Sequence, residues 1–251
     1  MDKVAVIGAA GGIGRFLADR FKAVPFMRGD TLGKLDGADT IIFCAAKAHF
    51  ETSGTKLYSS LEDNLFLLER ISKLPHKRFV YFSTVDLYPQ DDLIYSEGED
   101  LQIEKTRGGY PAFKLMGEAI VQERCNLPLM LRPTSLFGEG MRPNNISRLI
   151  SGHTNGPTLS ADASFNCVTY AMIASLIEAA ISNGETGILN CAATGQVTLG
   201  DVARLCNYKG PFGSHHYVAP QLMNDKACAL EPAFKRTSLE IVTEMRGWSC
   251  F

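Results

Sequence analysis

Met1 to Gly14 reads M-D-K-V-A-V-I-G-A-A-G-G-I-G, and this stretch decides the fold. An apolar run from Val4 to Ile7 stops at Gly8. Gly11 and Gly14 follow at intervals of three before an amphipathic stretch begins, which predicts strand, glycine turn and helix. Gly8 permits the tight turn, Gly11 lets backbone approach a pyrophosphate, and Gly14 lets the helix lie close on the sheet. The free N–H groups and positive dipole end at the helix start, where Gly12 and Ile13 fall, suit phosphate oxygens. The spacing is G-x-x-G-x-x-G rather than G-x-G-x-x-G, so its position straight after a buried N-terminal strand carries the reading. Arg15 sits in the first helical turn, where a cation opposes the helix dipole; that makes it a candidate phosphate contact.

Outward from this start, the 251 residues, 45% of them apolar, suffice for one large domain or a domain with a modest appendage. A net charge of −2 without a Lys/Arg block gives no electrostatic reason for a nucleic acid or an anionic membrane as partner, and points to a small molecule. Seven cysteines with no C-x-x-C pair read as thiols in a reducing compartment rather than as a metal site. No leader-like segment and no bilayer-length apolar run is found, so a cytoplasmic protein without a membrane span is expected.

Along the chain, Ile13, Phe16, Leu17 and Phe21 share one helical face. A short strand at Val24 to Met27, interrupted by Pro25, is followed by a strand at Thr40 to Ala45, with room between them for one turn around Leu32 to Leu35. Arg28 lies about twenty residues beyond the first glycine, the distance at which an arginine suits the 2′-phosphate of NADP and a carboxylate the ribose of NAD. NADP(H) is therefore expected over NAD(H), with Asp30 as the residue that would favour NAD. Leu57, Leu61, Leu65, Leu68, Ile71 and Leu74 predict one long helix ending before Pro75. The strand Arg78 to Ser83 delivers Ser83, Thr84, Val85 and Asp86 at its carboxyl end, where open α/β sheets bind ligands. After a polar loop, Tyr110 opens a helix with Pro111 in its first turn, and Tyr110 and Lys114 share a face. A strand at Leu129 to Arg132 runs into P-T-S-L-F-G. Beyond a variable region come a helix at about 169–181, a strand at 187–191, a helix capped by Thr198, and a last helix introduced by the Thr237/Glu240 capping box. The alternation predicts a Rossmann-like, doubly wound parallel α/β sheet with a small C-terminal α/β part. Residues 1–140 are expected to form the dinucleotide domain and 141–251 the substrate part, with about 167–192 returning to the core.

The ordered set Gly8/Gly11/Gly14, Ala45-Ala46, Ser83-Thr84, Tyr110-x-x-x-Lys114 and L-R-P-T-S-L-F-G resembles the extended short-chain dehydrogenase/reductases, the NAD(P)-dependent epimerase/dehydratase family, over the chain to about residue 200. A tyrosine of ordinary pKa about 10 is a poor base at neutral pH, but an ammonium one helical turn away, joined by an oxidised nicotinamide, favours the phenolate. The resemblance implies that Tyr110 exchanges the substrate's proton, Lys114 donates to the nicotinamide ribose, and Thr84 bonds the same substrate oxygen. It also implies that Cys44, Ala45, Ala46 and Ser83 line the cofactor and that Pro133, Thr134 and Ser135 lie along the carboxamide. Asn64 and Asp86 are expected near the substrate, Arg142, Asn144, Asn145 and Arg148 in the region that grips its diphosphate, and His49 on the rim. Val85-Asp86 stands where the family's dehydratases carry an Asp-Glu pair, which disfavours elimination of water. The S-T-x-x-L-Y-P stretch is similar to that of 4-keto nucleotide-sugar reductases. The expected function is therefore reduction of a 4-keto nucleotide sugar, a cell-surface polysaccharide precursor. A second reading is a nucleotide-sugar 4-epimerase with tightly bound NAD, and a third a non-catalytic dinucleotide sensor or scaffold. By the same resemblance, the helix pair around Leu61 and Ile120 is a candidate homodimer face.

Overall fold

The computed structural model describes residues 3–46, 55–91, 93–152 and 156–247; His49 lies outside them. In chain order the elements are β1 (Val4–Ile7), α1 (Gly12–Arg20), β2 (Val24–Phe26), β3 (Thr40–Phe43), α2 (Thr55–Leu61), α3 (Leu67–Ser72), β4 (Arg78–Phe82), β5 (Ile94–Tyr95), α4 (Gly109–Arg124), β6 (Pro128–Pro133) and β7 (Ser135–Phe137). There follow α5 (Asn145–Ile150), β8 (Ser164–Phe165), β9 (Cys167–Thr169), α6 (Tyr170–Ser182), β10 (Gly187–Cys191), β11 (Val197–Thr198), α7 (Leu199–Leu205), β12 (Gln221–Leu222), α8 (Asp225–Leu230) and α9 (Ser238–Met245).

Six strands form the central sheet in the order β10-β6-β4-β3-β1-β2, with every neighbouring pair parallel. A parallel sheet is covered on both faces, and its inner strands β1, β3, β4 and β6 show it by being buried at nearly every position rather than at alternate ones. Val4, Val6, Ile42, Val80, Phe82, Leu129 and Leu131 face a core closed by Leu17 of α1 and Ile173 and Ile177 of α6. Their sequence neighbours Ala5, Ile7, Ile41, Phe43, Phe79, Tyr81 and Met130 face the opposite core, closed by Leu68, Ile71 and Val121. This is the doubly wound α/β fold that the sequence predicts. The chain turns from β1 outward to β2 and then crosses to β3 on β1's other side, so a crevice opens beyond the carboxyl ends of β1 and β3. The short crossover into β3 contains a single 3₁₀ turn, Leu32–Leu35, anchored by buried Leu35.

One departure bears on the site. The predicted long helix is broken: a π turn, Glu62–Phe66, separates α2 from α3. Asn64 sits buried in that turn and its Nδ2 donates to the Ser60 carbonyl at 2.9 Å. After β6 the chain leaves the sheet, and α6, N-capped by the Thr169 side chain, brings it back as β10 in register with β6, Gly187 opposite Leu129. The predicted Thr237/Glu240 capping box opens α9. Among the described residues the cysteines are free thiols, no three side chains are grouped to hold a metal ion, and no helix is long and apolar enough to cross a membrane.

Candidate active site

The glycine turn and β3 meet at the crevice. Gly8 has φ +89°, and a Cβ there would lie 2.8 Å from the Ala45 backbone nitrogen, so only glycine allows β1 and β3 to end this close together. A Cβ on Gly14 would run into the Gly8 carbonyl, which explains the tight seat of α1, whereas one on Gly11 would meet only open space. That space is a cleft of about 960 Å³ whose lining includes Gly8, Gly11, Gly12, Ile13, Cys44, Ala45 and Ala46. No side chain caps α1 at Gly11, so the helix start presents donors to the cleft. An elongated cradle with an uncapped helix start fits a dinucleotide and its pyrophosphate.

Cofactor choice departs from the sequence reading in its electrostatics. Arg28 does line the cleft, but it pairs with Asp63 of the π turn at 2.5 Å and its side chain is 84% exposed. Asp30 lines the same wall; its carboxylate accepts from Lys34 Nζ and the Met27 amide, both at 2.8 Å. The Lys34 bond, then the Met27 N–H, hold the Asp30 carboxyl below its usual range. Arg15, the candidate phosphate contact, does not line this cleft: it borders a neighbouring depression with Asp19 and Pro25.

A second cavity, of about 340 Å³, opens from the first across Ile13, Cys44 and Ala46, which line both. Ser83, Thr84, Asp86, Tyr110, Lys114, Pro133, Thr134 and Ser135 surround it. They come from the ends of β4 and β6 and the start of α4, so the sheet and one helix bring together the predicted catalytic set. Lys114 is buried and its Nζ donates to the Phe82 carbonyl at 2.5 Å, 4.9 Å from the centre of the Tyr81 ring and 5.8 Å from that of Tyr110. Burial lowers its pKa to about 8. The charged amine therefore costs stability in full below about pH 8, and the cost fades as pH rises toward the ordinary value near 10.5. Lys114→Met should accordingly abolish turnover yet stabilise the fold at pH 7 by about 1–2 kcal/mol, net of the lost hydrogen bond, with little gain left at pH 10. Urea melts at the two pH values check this; equal gains at both would refute it.

Tyr110 departs from expectation in the unliganded chain. Burial, then the Asp86 charge, push its phenol above the ordinary value, so the protein alone keeps it protonated. Lys114 is the only Lys, Arg or His among the described residues lining this cavity. Thr84 is less free than predicted: its Oγ1 donates to Asp86 Oδ2 at 3.3 Å and accepts the Asp86 N–H at 3.2 Å. Ser83 Oγ, by contrast, is buried against the cavity without a partner, a hydroxyl ready for a ligand.

The predicted substrate residues separate. Asp86 faces the cavity; burial raises its carboxyl above the usual range, against the opposing bonds from Thr84 and Tyr217. Asn64 lines neither cavity. Arg142 lines the dinucleotide cleft rather than the catalytic cavity. Asn144 N-caps α5 in a capping box with Ser147, and Asn145 Oδ1 accepts from the Thr158 amide at 2.7 Å, so both amides hold the local fold. The structure adds side chains that sequence reasoning missed. Tyr217 reaches Asp86 Oδ1 at 3.4 Å from over a hundred residues away, a contact no local pattern signals. Asn166 Oδ1 accepts from the Ala193 N–H at 2.8 Å and the Thr134 hydroxyl at 3.1 Å at the cavity wall; a lone asparagine at the end of the variable region, before the helix predicted at about 169–181, was the sole hint.

A model of the NAD dependent epimerase/dehydratase family matches residues 26–156. The matched stretch begins after the glycine turn and contains Thr84, Tyr110 and Lys114. No curated protein matches the sequence. Among solved structures, MoeE5 in complex with UDP-glucose and NAD superposes with a TM-score of 0.79 at 20% identity, covering 96% of this chain and 97% of that one. UDP-glucuronic acid 4-epimerase from Bacillus cereus in complex with NAD gives 0.76 at 16% identity, covering 97% and 99%. A dTDP-4-dehydrorhamnose reductase from Clostridium acetobutylicum gives 0.78 at 15% identity, covering 96% and 97%. These likenesses establish the shared fold. The expectation of NADP(H) is corrected: MoeE5 and the Bacillus epimerase hold NAD, and the arginine on which the expectation rested is paired with Asp63.

Proposed function

The chain belongs to the NAD dependent epimerase/dehydratase family and is an enzyme of it, and from that premise we propose that it is a nucleotide-sugar 4-epimerase retaining NAD. The observation that carries this reading is the meeting of Tyr110, Lys114 and Ser83 in a cavity continuous with the dinucleotide cleft. NAD, when bound, supplies a two-electron acceptor that can return what it takes. Gly8, Gly11, Gly12, Ile13, Cys44, Ala45 and Ala46 would hold it, with Asp30 on the ribose side. Tyr110 takes the proton of the sugar's C4 hydroxyl and gives it back after the ring has turned over, so the tyrosine ends each cycle unchanged. Its elevated pKa in the unliganded chain keeps it armed as the acid; positive charge brought close by Lys114 and an oxidised ring makes the phenolate accessible. Ser83 and Thr84 orient the C4 oxygen. Among the described residues lining the cavity Asp86 is the lone carboxylate, which disfavours elimination.

The matches to NAD-containing structures, a UDP-glucuronic acid 4-epimerase among them, support retention of the cofactor. A reductase of a 4-keto nucleotide sugar is the second reading, favoured by the S-T-x-x-L-Y-P stretch and the match to a 4-dehydrorhamnose reductase. Release of bound nucleotide from freshly purified protein, identified by mass spectrometry, separates them. Stoichiometric NAD(H), with C4 inversion of UDP-hexoses seen by NMR without added cofactor, is the expected result. Protein free of nucleotide that instead consumes NADH with a 4-keto sugar nucleotide overturns the epimerase.

A further inference from the structure

Tyr170, at the start of α6, is a residue that neither the sequence motifs nor the catalytic cavity accounts for. It is only 4% exposed, yet it lines the dinucleotide cleft. Its ring lies in a notch that only glycine leaves, because a Cβ on Gly138 would run into the ring atoms, and Phe16 braces it at a centroid distance of 5.7 Å. Its hydroxyl oxygen stands over the glycine turn, 3.2 Å from where a Cβ of Gly12 would be. Gly12 has φ +53°, so the turn both adopts a left-handed conformation and leaves the space the hydroxyl needs. The Ile13 backbone N–H faces that oxygen closely enough to oppose the rise in its pKa. A side chain from a distant helix thus stands beside the free donors at the start of α1. Among the described residues nothing accepts the hydroxyl's own hydrogen.

Resting on the proposal that this cleft takes NAD, we infer that Tyr170 is a cofactor-binding residue: its hydroxyl, standing over Gly12 beside the helix start, donates to the pyrophosphate and adds one donor to those of the helix start. Burial raises the phenol to about 12, so the group remains a donor throughout the physiological range. A donor aimed at a phosphate oxygen makes a charge-assisted bond. The hydroxyl is rigid because the Gly138 notch and Phe16 fix the ring before the ligand arrives, so little side-chain entropy is lost on binding.

The test is calorimetric titration of cofactor-depleted protein with NAD, ADP and adenosine. Tyr170→Phe is expected to weaken NAD and ADP by about tenfold and to leave adenosine, which has no phosphate, unchanged. Gly138→Ala keeps the hydroxyl but displaces the ring and should weaken NAD and ADP similarly, which supplies a second variant should the first fold poorly. Tyr170→Phe binding NAD within twofold of wild type, or more tightly, overturns the inference while leaving the proposed function standing; so does an equal loss for adenosine. Wild-type protein that binds no NAD overturns both.

Discussion

Tyr110→Phe should lower kcat by about 10³-fold while NAD affinity and thermal stability stay near wild type. The substitution keeps the ring and removes only the proton carrier. No hydrogen bond among the described residues holds the Tyr110 hydroxyl, so its loss leaves no buried partner stranded, and the change in stability should stay within about 0.5 kcal/mol. The proton has no substitute route of equal quality: the cavity's remaining titratable groups include Lys114, held by the Phe82 carbonyl, and Asp86, engaged by Thr84 and Tyr217. Proton transfer by a positioned side chain contributes about 10²–10⁴-fold in enzymes generally, which sets the magnitude. Steady-state kinetics on the epimerised nucleotide sugar, with calorimetry for NAD, checks it; undiminished turnover would remove Tyr110 from the chemistry under both the epimerase and the reductase readings.

Glu118→Ala should destabilise the protein by about 3–5 kcal/mol, out of a total near 5–15 kcal/mol. Arg132 is 2% exposed and Glu118 6%, and the two are joined by Nε to Oε1 at 2.9 Å and Nη2 to Oε2 at 2.7 Å. The third arm, Nη1, donates to the Tyr88 hydroxyl at 2.6 Å, which in turn bonds Asn190 Oδ1 at 2.8 Å. Removing the carboxylate leaves a guanidinium buried and unpaired, the costly half of a buried pair. Replacing both partners with Glu118→Leu and Arg132→Met should recover most of the loss, because two desolvated charges disappear together. Urea midpoints at unchanged slope measure it; a single-variant cost below about 1 kcal/mol would show that the pair is dispensable. The pair also joins α4 to β6, so the helix that carries Tyr110 and Lys114 is held to the sheet by its third catalytic-side turn. Part of this network's value to the enzyme is therefore the placement of the site.

Much of the fold was legible because its signals are local. The run into Gly8, the apolar strands and the Thr237/Glu240 box are each read within a few residues, where backbone geometry and period decide the outcome. The Tyr110/Lys114 pair is likewise one helical turn. The NADP expectation failed for the opposite reason. Arg28 stands at the right distance along the chain, but its charge is taken by Asp63, which only the π turn between α2 and α3 presents. Arg15 likewise lies beside a neighbouring depression rather than in the cleft, because helix phase sets its direction, and the Asn144 and Asn145 amides are already engaged by a helix cap and a loop.

By itself the sequence determined a doubly wound parallel sheet, a glycine turn at Gly8 to Gly14, and a tyrosine and a lysine one helical turn apart; the family match covers that pair but begins after the glycine turn. Tertiary structure alone decided which polar groups remain free to act. Thr84 is drawn to Asp86, Ser83 is left without a partner, Tyr217 closes on Asp86, and Tyr170 arrives over the glycine turn. The physical reason is that a residue's type and spacing set the chemistry it can perform, whereas its protonation and its open hydrogen bonds depend on neighbours that packing brings from far along the chain.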